Sequence, residues 1–204
     1  MRQMVFKLFI LLVVAVSSDV KAAKSMNSNE QAQVKPTSTM TFQRQLQLTE
    51  LEELNNWVVV NDTVMGGRSN SRIFNHPRGL LFAGDLSLEN NGGFASIRRI
   101  YNQVDWQDKQ PLRIAVQGDG RVYQFRLRTD RNLDGVAYSV NFSTIKGEVV
   151  IYEFQPEDFV AQWRGRRVTG AAPLQFSDVR QLGFLLGDKN EGSFALLVEE
   201  VVQP

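Results

Sequence analysis

The sequence predicts an all-β protein, a β-sandwich of the jelly-roll type preceded by one short helix. About ten short runs rich in β-branched and aromatic residues follow one another between Trp57 and Val202, with turn residues between them. Over residues 122–129, apolar and polar side chains alternate, which is the period of a strand with one solvated face. No segment is long and periodic enough to supply the helical crossovers of an α/β fold.

The helix is predicted over residues 49–56. Thr49 and Glu52 have the spacing of a capping box. Leu51 and Leu54 would then face inward. The strands that follow are predicted over residues 57–60, 72–74, 80–88, 94–101, 112–117, 122–129, 136–142, 149–154, 163–168, 182–186 and 194–202.

Two of the connections carry turn residues typical of β-hairpins. Asn90-Asn91-Gly92-Gly93 separates the third and fourth runs, and Gly118-Asp119-Gly120 separates the fifth and sixth. We therefore expect each of these two pairs of strands to be antiparallel neighbours in one sheet.

The first 40 residues differ from the rest of the chain. Arg2 and Lys7, an apolar run over residues 8–16 and small side chains ending at Ala22 have the pattern of a secretory signal peptide over residues 1–22. The apolar run is much shorter than the ~20 residues of a spanning helix. Residues 23–40 are polar and predict a flexible linker, and residues 41–204 suffice for a single domain. The pattern predicts export to the periplasm or secretion, with no stable membrane span in the mature chain.

Charge and composition exclude several classes of function. With 23 basic and 22 acidic residues the chain has a net charge of +1, so it lacks the strongly basic character of a nucleic-acid-binding protein. It has no cysteine, which excludes thiol chemistry and disulfides. The one histidine, His76, precedes a proline in a predicted turn, so a serine triad would depend on that residue. A pair of carboxylates could still serve glycoside hydrolysis, although spacing in the sequence cannot show such a pair. We predict a protein that is not an enzyme and needs no cofactor.

Two loops with paired glycines are the first candidate binding site. Both follow predicted strands, and we expect them to pack against one another at one end of the sandwich, with Asp62 or Asn91 hydrogen-bonded to the backbone of the other loop. Met65 should fill the core, whereas Asp62 and Arg68 could either support the loop or bind a ligand. The candidate binding residues are Asp62, Gly66, Gly67, Arg68, Asn90, Asn91, Gly92 and Gly93.

A second candidate site combines aromatic and guanidinium groups. Trp163, Arg164 and Arg166 lie close together in the sequence, a composition found in interface hot spots and in sugar-binding platforms. An edge strand protected by charge would have the same composition. Tyr123 is a further candidate for stacking on a sugar.

Residues 130–135 match the first half of a calcium-binding loop, with oxygen-bearing side chains at alternate positions and a glycine at the turn. The glutamate that closes such a loop would fall at Asn141, which cannot take that role. We therefore interpret the segment as the turn of a hairpin and predict no metal site.

Several segments together resemble the complex I intermediate-associated protein 30 family: NDTVMGGRS, GDLSLENNGGFASIRR, GDGRVYQFRLRT, QWRGRRV and GFLLGDKNEGSFALLVEEV. The resemblance covers about residues 42–202. It implies a galactose-binding-like jelly roll related to carbohydrate-binding modules, and a role in the assembly of respiratory complex I without catalysis.

The predicted function is that of an exported, non-enzymatic binding module. Its partner is expected to be another protein, as the resemblance implies. The alternative is a carbohydrate-binding module that holds a glycan on the sandwich face or its loops.

Overall fold

The alternating apolar residues of the sequence line the interior of two packed antiparallel sheets. The structure, a computed structural model, describes residues 45–132 and 134–204. The predicted signal peptide and linker, residues 1–22 and 23–40, lie outside the described residues. The predicted jelly-roll β-sandwich is confirmed.

The helix α1 spans Leu51–Leu54. In chain order the strands are β1 (Trp57–Val59), β2 (Asn70–His76), β3 (Gly79–Leu86), β4 (Ala95–Ile100), β5 (Leu112–Gln117), β6 (Val122–Arg128), β7 (Ala137–Ser143), β8 (Val149–Phe154), β9 (Val160–Trp163), β10 (Arg166–Arg167), β11 (Gln181–Leu186) and β12 (Gly192–Val202). Short 3-10 helices lie at Asp62–Met65, Glu89–Asn91, Pro156–Asp158 and Phe176–Asp178.

The twelve strands found among the described residues form a seven-stranded and a five-stranded sheet. The first has the order β1-β4-β11-β6-β7-β9-β10, and the second has the order β2-β3-β12-β5-β8. Aromatic side chains join the two sheets in the core. The ring of Phe125 on β6 stacks on Phe184 with centroids 5.2 Å apart, and it lies 6.0 Å from Phe154 of the other sheet.

The two predicted hairpins are wrong. β3 and β5 belong to the five-stranded sheet, whereas β4 and β6 belong to the seven-stranded sheet. The Asn-Gly and Asp-Gly connections therefore lead from one sheet to the other, across the ~10 Å between packed sheets. Turn-forming residues permit a change of direction, but the burial of both apolar faces decides which strands become neighbours.

Other element predictions also change in detail. The run over residues 163–168 is part of a hairpin: β9 and β10 are joined by Arg164 and Gly165, whose φ angles of 48° and 75° suit a tight turn. The helix α1 is shorter than predicted and no side chain caps it. Leu51 is exposed and Glu53 is buried in its place, because Arg99, Trp57 and Asn56 hydrogen-bond the carboxylate of Glu53.

Candidate functional site

The two glycine loops pack against each other, as the sequence predicted. We call residues 62–69 and 88–94 the paired loops. The carboxylate of Asp62 is 1% exposed and joins them: its Oδ2 accepts hydrogen bonds from the backbone N–H groups of Gly93 and Phe94, at 2.6 and 3.3 Å. Within its own loop, Asp62 accepts from the backbone N–H and the hydroxyl of Ser69, at 2.9 and 2.5 Å.

The glycines of the paired loops leave room for this carboxylate. A Cβ atom at Gly67 would lie 2.4 Å from Cγ of Asp62, and one at Gly92 would lie 2.5 Å from its Oδ2. Gly93 has a φ angle of +120°, which side chains rarely allow. Close approach and backbone conformation therefore both require glycine here.

Hydrogen bonds hold the pKa of Asp62 below its usual range. Burial by itself raises this pKa, but the hydrogen bonds from the Ser69 side chain and from the backbone of Gly93, Ser69 and Phe94 outweigh it. The residue is therefore an ionised support of the loops. This is one of the two roles that the sequence had left open for Asp62.

The paired loops expose both apolar and polar side chains. Val64 and Met65 are each 69% exposed, so the prediction that Met65 fills the core is wrong: the 3-10 turn at Asp62–Met65 points its last residues to solvent. Arg68 forms an exposed ion pair with Glu89 at 2.9 Å.

Asparagines complete the surface of the paired loops. The side chain of Asn90 donates to the carbonyl of Gly66 at 3.1 Å. Asn90 and Asn91 both have positive φ, 56° and 58°. Gly66, the remaining candidate, has a φ of +91° and open space around it.

The Trp163 group lies elsewhere. Its indole N–H donates to the carbonyl of Asp134 at 2.9 Å, and Arg164 forms an ion pair with the carboxylate of Asp134 at 2.6 Å. The guanidinium of Arg164 sits over the Trp163 ring, 4.8 Å from its centroid. Arg166 is exposed on β10, at the edge of the seven-stranded sheet, opposite Trp163.

The strand register places the two groups at opposite ends of the seven-stranded sheet. Ala95, at the start of β4, pairs with Leu186 beside the paired loops. At the other end of these two strands, Ile100 pairs with Gln181, whose amide donates to Asp130 in the connection that also carries Asp134. The candidate residues therefore do not form one site.

Tyr123 cannot act as a stacking platform. Its ring is fully buried, because β6 turns this residue into the core, and its hydroxyl donates to Asp119 at 3.0 Å. This correction follows from the alternation of β6, in which Tyr123, Phe125 and Leu127 all face inward.

The segment with the half calcium pattern connects the adjacent antiparallel strands β6 and β7, so the prediction of a hairpin turn is confirmed. Asp130 accepts from the backbone of Asn132 at 2.8 Å, and Asn132 accepts from that of Asp134 at 3.1 Å. Over residues 45–132 and 134–204, no group of three or more His, Asp or Glu side chains is placed to hold a metal ion.

The sequence analysis did not select Arg98, Arg126 and Arg128 as site residues. The sequence feature that could have indicated them is the alternation of β6, which places Arg126 and Arg128 on the same face of the strand. Only the pairing of β11 with both β4 and β6 shows that Arg98 lies on the same face.

The fold and the paired loops define a galactose-binding-like β-sandwich with a hydrogen-bonded loop surface at one end. Solved structures with this fold include the Family 11 carbohydrate-binding module of a cellulosomal cellulase of Clostridium thermocellum, with a TM-score of 0.51 and 11% identity, covering 73% of this chain and 88% of the module. The same module in complex with a β-1,3-1,4-mixed-linked tetrasaccharide matches with a TM-score of 0.51 and 12% identity, over 72% and 89% of the two chains. At these identities the likeness shows the fold alone.

The family model described as Complex I intermediate-associated protein 30 (CIA30) matches residues 41–198, and the chain belongs to this family. The mitochondrial Complex I intermediate-associated protein 30 of Mus musculus is 31% identical over 176 residues, which cover 75% of this chain and 53% of the mouse protein. The chain therefore spans about half the length of this curated relative.

The prediction of export to the periplasm or of secretion is wrong, because the mouse relative is a mitochondrial protein. The prediction rested only on the amino-acid pattern of residues 1–22. Such a pattern is interpreted as a targeting signal and carries no information about the fold. Among the described residues, no helix has the length and apolar character needed to cross a membrane.

Proposed function

We propose that this chain is a non-enzymatic protein-interaction module of the assembly-factor type, and that it binds its partner through the paired loops. Membership of the family supports this proposal. The name of the mouse relative associates that protein with an intermediate of complex I. We infer that a subunit or assembly intermediate of complex I is the partner of this chain also.

The observation that carries the proposal is the exposure of Val64 and Met65 on a turn that hydrogen bonds hold in place. Asp62 holds the start of this turn through four hydrogen bonds to Ser69, Gly93 and Phe94. Apolar side chains on a fixed loop need little further ordering when a partner buries them. Methionine adapts its shape to an irregular surface.

The surroundings of these two side chains also fit an interface. Arg68, Glu89 and Asn91 are exposed polar residues of the same paired loops, and protein–protein interfaces combine apolar and polar side chains. The proposed binding residues are the candidate residues of the paired loops together with Val64 and Met65. Of these, Asp62, Gly67, Gly92 and Gly93 act by shaping the loops.

The test is affinity capture of the tagged chain, after chemical crosslinking, from the cells that produce it. Val64→Asp and Met65→Asp place a charge in the proposed interface. Ile151→Asp is the matched control, because Ile151 is 63% exposed on β8 at the edge of the other sheet.

We expect complex I subunits in the captured fraction of the unmodified chain and of I151D, reduced at least tenfold for V64D and M65D. A tenfold loss corresponds to about 1.4 kcal/mol of binding free energy. Equal capture by all four proteins would exclude the paired loops as the interface. Capture without complex I subunits would contradict the proposed partner.

Carbohydrate binding is the alternative function. The fold of the Family 11 module is compatible with it, and Trp163 is the one aromatic candidate of the sequence analysis that is exposed, at 44%. However, Arg164 covers one face of the Trp163 ring, and Tyr123 lies in the core. A glycan array decides the point: a signal that Trp163→Ala abolishes would support this alternative, and a blank array would leave the protein partner as the function.

A further inference from the structure

The outer face of the seven-stranded sheet carries a row of polar residues aligned across four strands. Arg98 on β4 pairs with Gly183 on β11, which pairs with Arg126 on β6, which in turn pairs with Ser139 on β7. Glycine is required at position 183, because a Cβ atom there would lie 2.2 Å from the carbonyl oxygen of Ile97 on β4. Adjacent strands lie ~4.8 Å apart, so the two long side chains can reach towards each other over this glycine.

A second row, two residues further along the strands, extends the same surface. Arg128 on β6 pairs with Gln181 on β11. Gln181 donates its amide N–H groups to the carbonyls of Asp130 and Asn132, at 2.9 and 3.0 Å, so its Oε1 atom is directed away from these two carbonyls. The connection between β6 and β7 thus borders this row.

Several polar atoms of this surface are buried without a hydrogen-bond partner. They are Nε of Arg126, Nε of Arg128, Oγ of Ser139 and Oε1 of Gln181. Arg128, Ser139 and Gln181 are only 5%, 4% and 1% exposed. Native proteins pair nearly all buried polar groups, and each unpaired one is unfavourable. Such a concentration of unpaired polar atoms on one patch indicates a ligand that would pair with them.

The charge of the patch shows which kind of ligand this is. Burial and the neighbouring Arg98 lower the pKa of Arg126 to about 10, and burial with Arg98 and Arg126 lowers that of Arg128 to about 9. The three guanidinium groups therefore repel one another within a poorly solvated space.

Two carboxylates act on this group of arginines. Asp130 and Asp134 raise the pKa of Arg128, and Asp134 also acts on Arg98 and is paired with Arg164.

We propose that Arg98, Arg126 and Arg128 bind a phosphate group over Gly183, on the outer face of the seven-stranded sheet. A phosphate group carries about two negative charges near neutral pH, so guanidinium groups attract it. Arginine forks donate paired hydrogen bonds to its oxygens, and the Ser139 hydroxyl supplies a further donor. Gln181 Oε1 accepts from a protonated phosphate oxygen or from a hydroxyl group next to it.

This site is independent of the proposed function of the paired loops, which lie at the end of the sheet where β4 begins. Its test uses the full chain and the variants R126Q and R98Q. Arg72→Gln is the matched control, because Arg72 is an exposed arginine on β2 of the other sheet and its replacement removes the same charge. The melting temperature is measured in chloride, inorganic phosphate and glucose 6-phosphate, all at equal ionic strength.

We expect phosphate at ten times its Kd to raise the melting temperature of the unmodified chain and of R72Q by about 3 °C over chloride. R126Q and R98Q should lose this shift. In chloride, R126Q should melt no lower than the unmodified chain, because it removes a repulsive charge, whereas loss of a merely structural arginine would lower its melting temperature.

Two outcomes would overturn the proposal: no difference between phosphate and chloride for the unmodified chain, or an undiminished phosphate shift in both R126Q and R98Q.

The two phosphate probes, inorganic phosphate and glucose 6-phosphate, identify the source of the phosphate group. A larger shift with glucose 6-phosphate assigns the site to a phosphate monoester, and an equal or smaller one assigns it to the free ion.

Discussion

Among single residues, Asp62 makes the most contacts within the paired loops. Its carboxylate accepts four hydrogen bonds, from the backbone and hydroxyl of Ser69 and from the backbone of Gly93 and Phe94. All four groups are donors, so only an ionised carboxylate satisfies them together. The identity of this one side chain therefore decides whether the two loops stay joined.

Asp62→Asn tests this role. The amide has nearly the same shape but turns one acceptor into a donor that faces backbone N–H groups. We expect a loss of about 2 kcal/mol in the free energy of unfolding, measured by urea denaturation at pH 7, because hydrogen bonds to charged groups contribute this much. Asp85→Asn, on an exposed position of β3, is the control and should change stability by less than about 0.5 kcal/mol.

The same pair of proteins has an expected pH dependence. The pKa of Asp62 is lowered in the folded protein, so its stabilisation is complete above the ordinary value of 3.8 and is lost as the pH falls through the lower folded value. The difference in stability between the unmodified chain and D62N should be constant above about pH 5 and shrink below pH 3.8. A difference that grows on acidification would mean that the pKa is raised.

Among elements, the paired loops behave as one unit because each supplies groups that the other needs. A side chain at Gly67 would collide with Asp62, and one at Gly93 would require a rare backbone conformation. Both changes therefore disturb the same carboxylate.

Gly67→Val and Gly93→Val should each lower the free energy of unfolding by about 1–3 kcal/mol. Because they act on one structure, the double variant should lose less than the sum, with a difference above about 0.5 kcal/mol. Gly147→Val is the control: Gly147 also has positive φ, but a Cβ there would meet nothing within 4 Å. Combined with G67V it should be additive, and additivity of G67V with G93V would show that the loops are energetically separate.

A buried ion pair holds the short helix α1 in place, whereas the sequence predicted that Leu51 would face inward. Glu53 and Arg99 have side chains that are 5% and 9% exposed, and Arg99 also lies 4.1 Å from the centroid of the Tyr101 ring. The pair connects α1 to β4, the second strand from one edge of the seven-stranded sheet.

Glu53→Gln should lower the free energy of unfolding by about 3 kcal/mol, because it leaves Arg99 buried without its counter-charge. The exposed pair Arg164–Asp134 provides the contrast, since solvent screens its charges. Asp134→Asn should therefore cost much less in the same denaturation experiment. Equal losses for E53Q and D134N would mean that burial does not strengthen the Glu53–Arg99 pair.

In the whole molecule, the candidate groups lie at the two ends and on one face of the seven-stranded sheet. The paired loops lie at one end, the Trp163 group lies at the other, and the arginine row occupies the face between them. The candidate binding residues of the sequence analysis are thus distributed over the molecule.

Calcium should not change the stability of the chain. The oxygens of Asp130 and Asn132 already accept backbone hydrogen bonds, and Asp134 is paired with Arg164. We expect melting temperatures with calcium and with chelator to agree within about 1 °C. A rise of several degrees with calcium would contradict this expectation, because a ligand that binds only the folded state must stabilise it.

The sequence by itself determined the fold class and the contact between the paired loops. Period-two alternation around residues such as Phe125 reports which side chains must leave water, and this is a local property of each strand. The paired glycines, each in a loop that also carries short polar side chains, likewise indicate a close approach of backbones, and Asp62 is the acidic side chain within the first loop. These features need only neighbours along the chain.

Only the tertiary structure decided which strands are neighbours and which side chains share a surface. The turns at Asn90–Gly93 and Gly118–Gly120 have hairpin chemistry, yet each leads into the opposite sheet, because burying both apolar faces outweighs the preference of a turn. Met65 and Leu51 are exposed while Glu53 is buried. Burial of a side chain therefore depends on the partners that the tertiary structure offers, and not on its hydrophobicity alone. The arginine row depends on register across β4, β11 and β6, and pairings between segments more than fifty residues apart leave no local trace in the sequence.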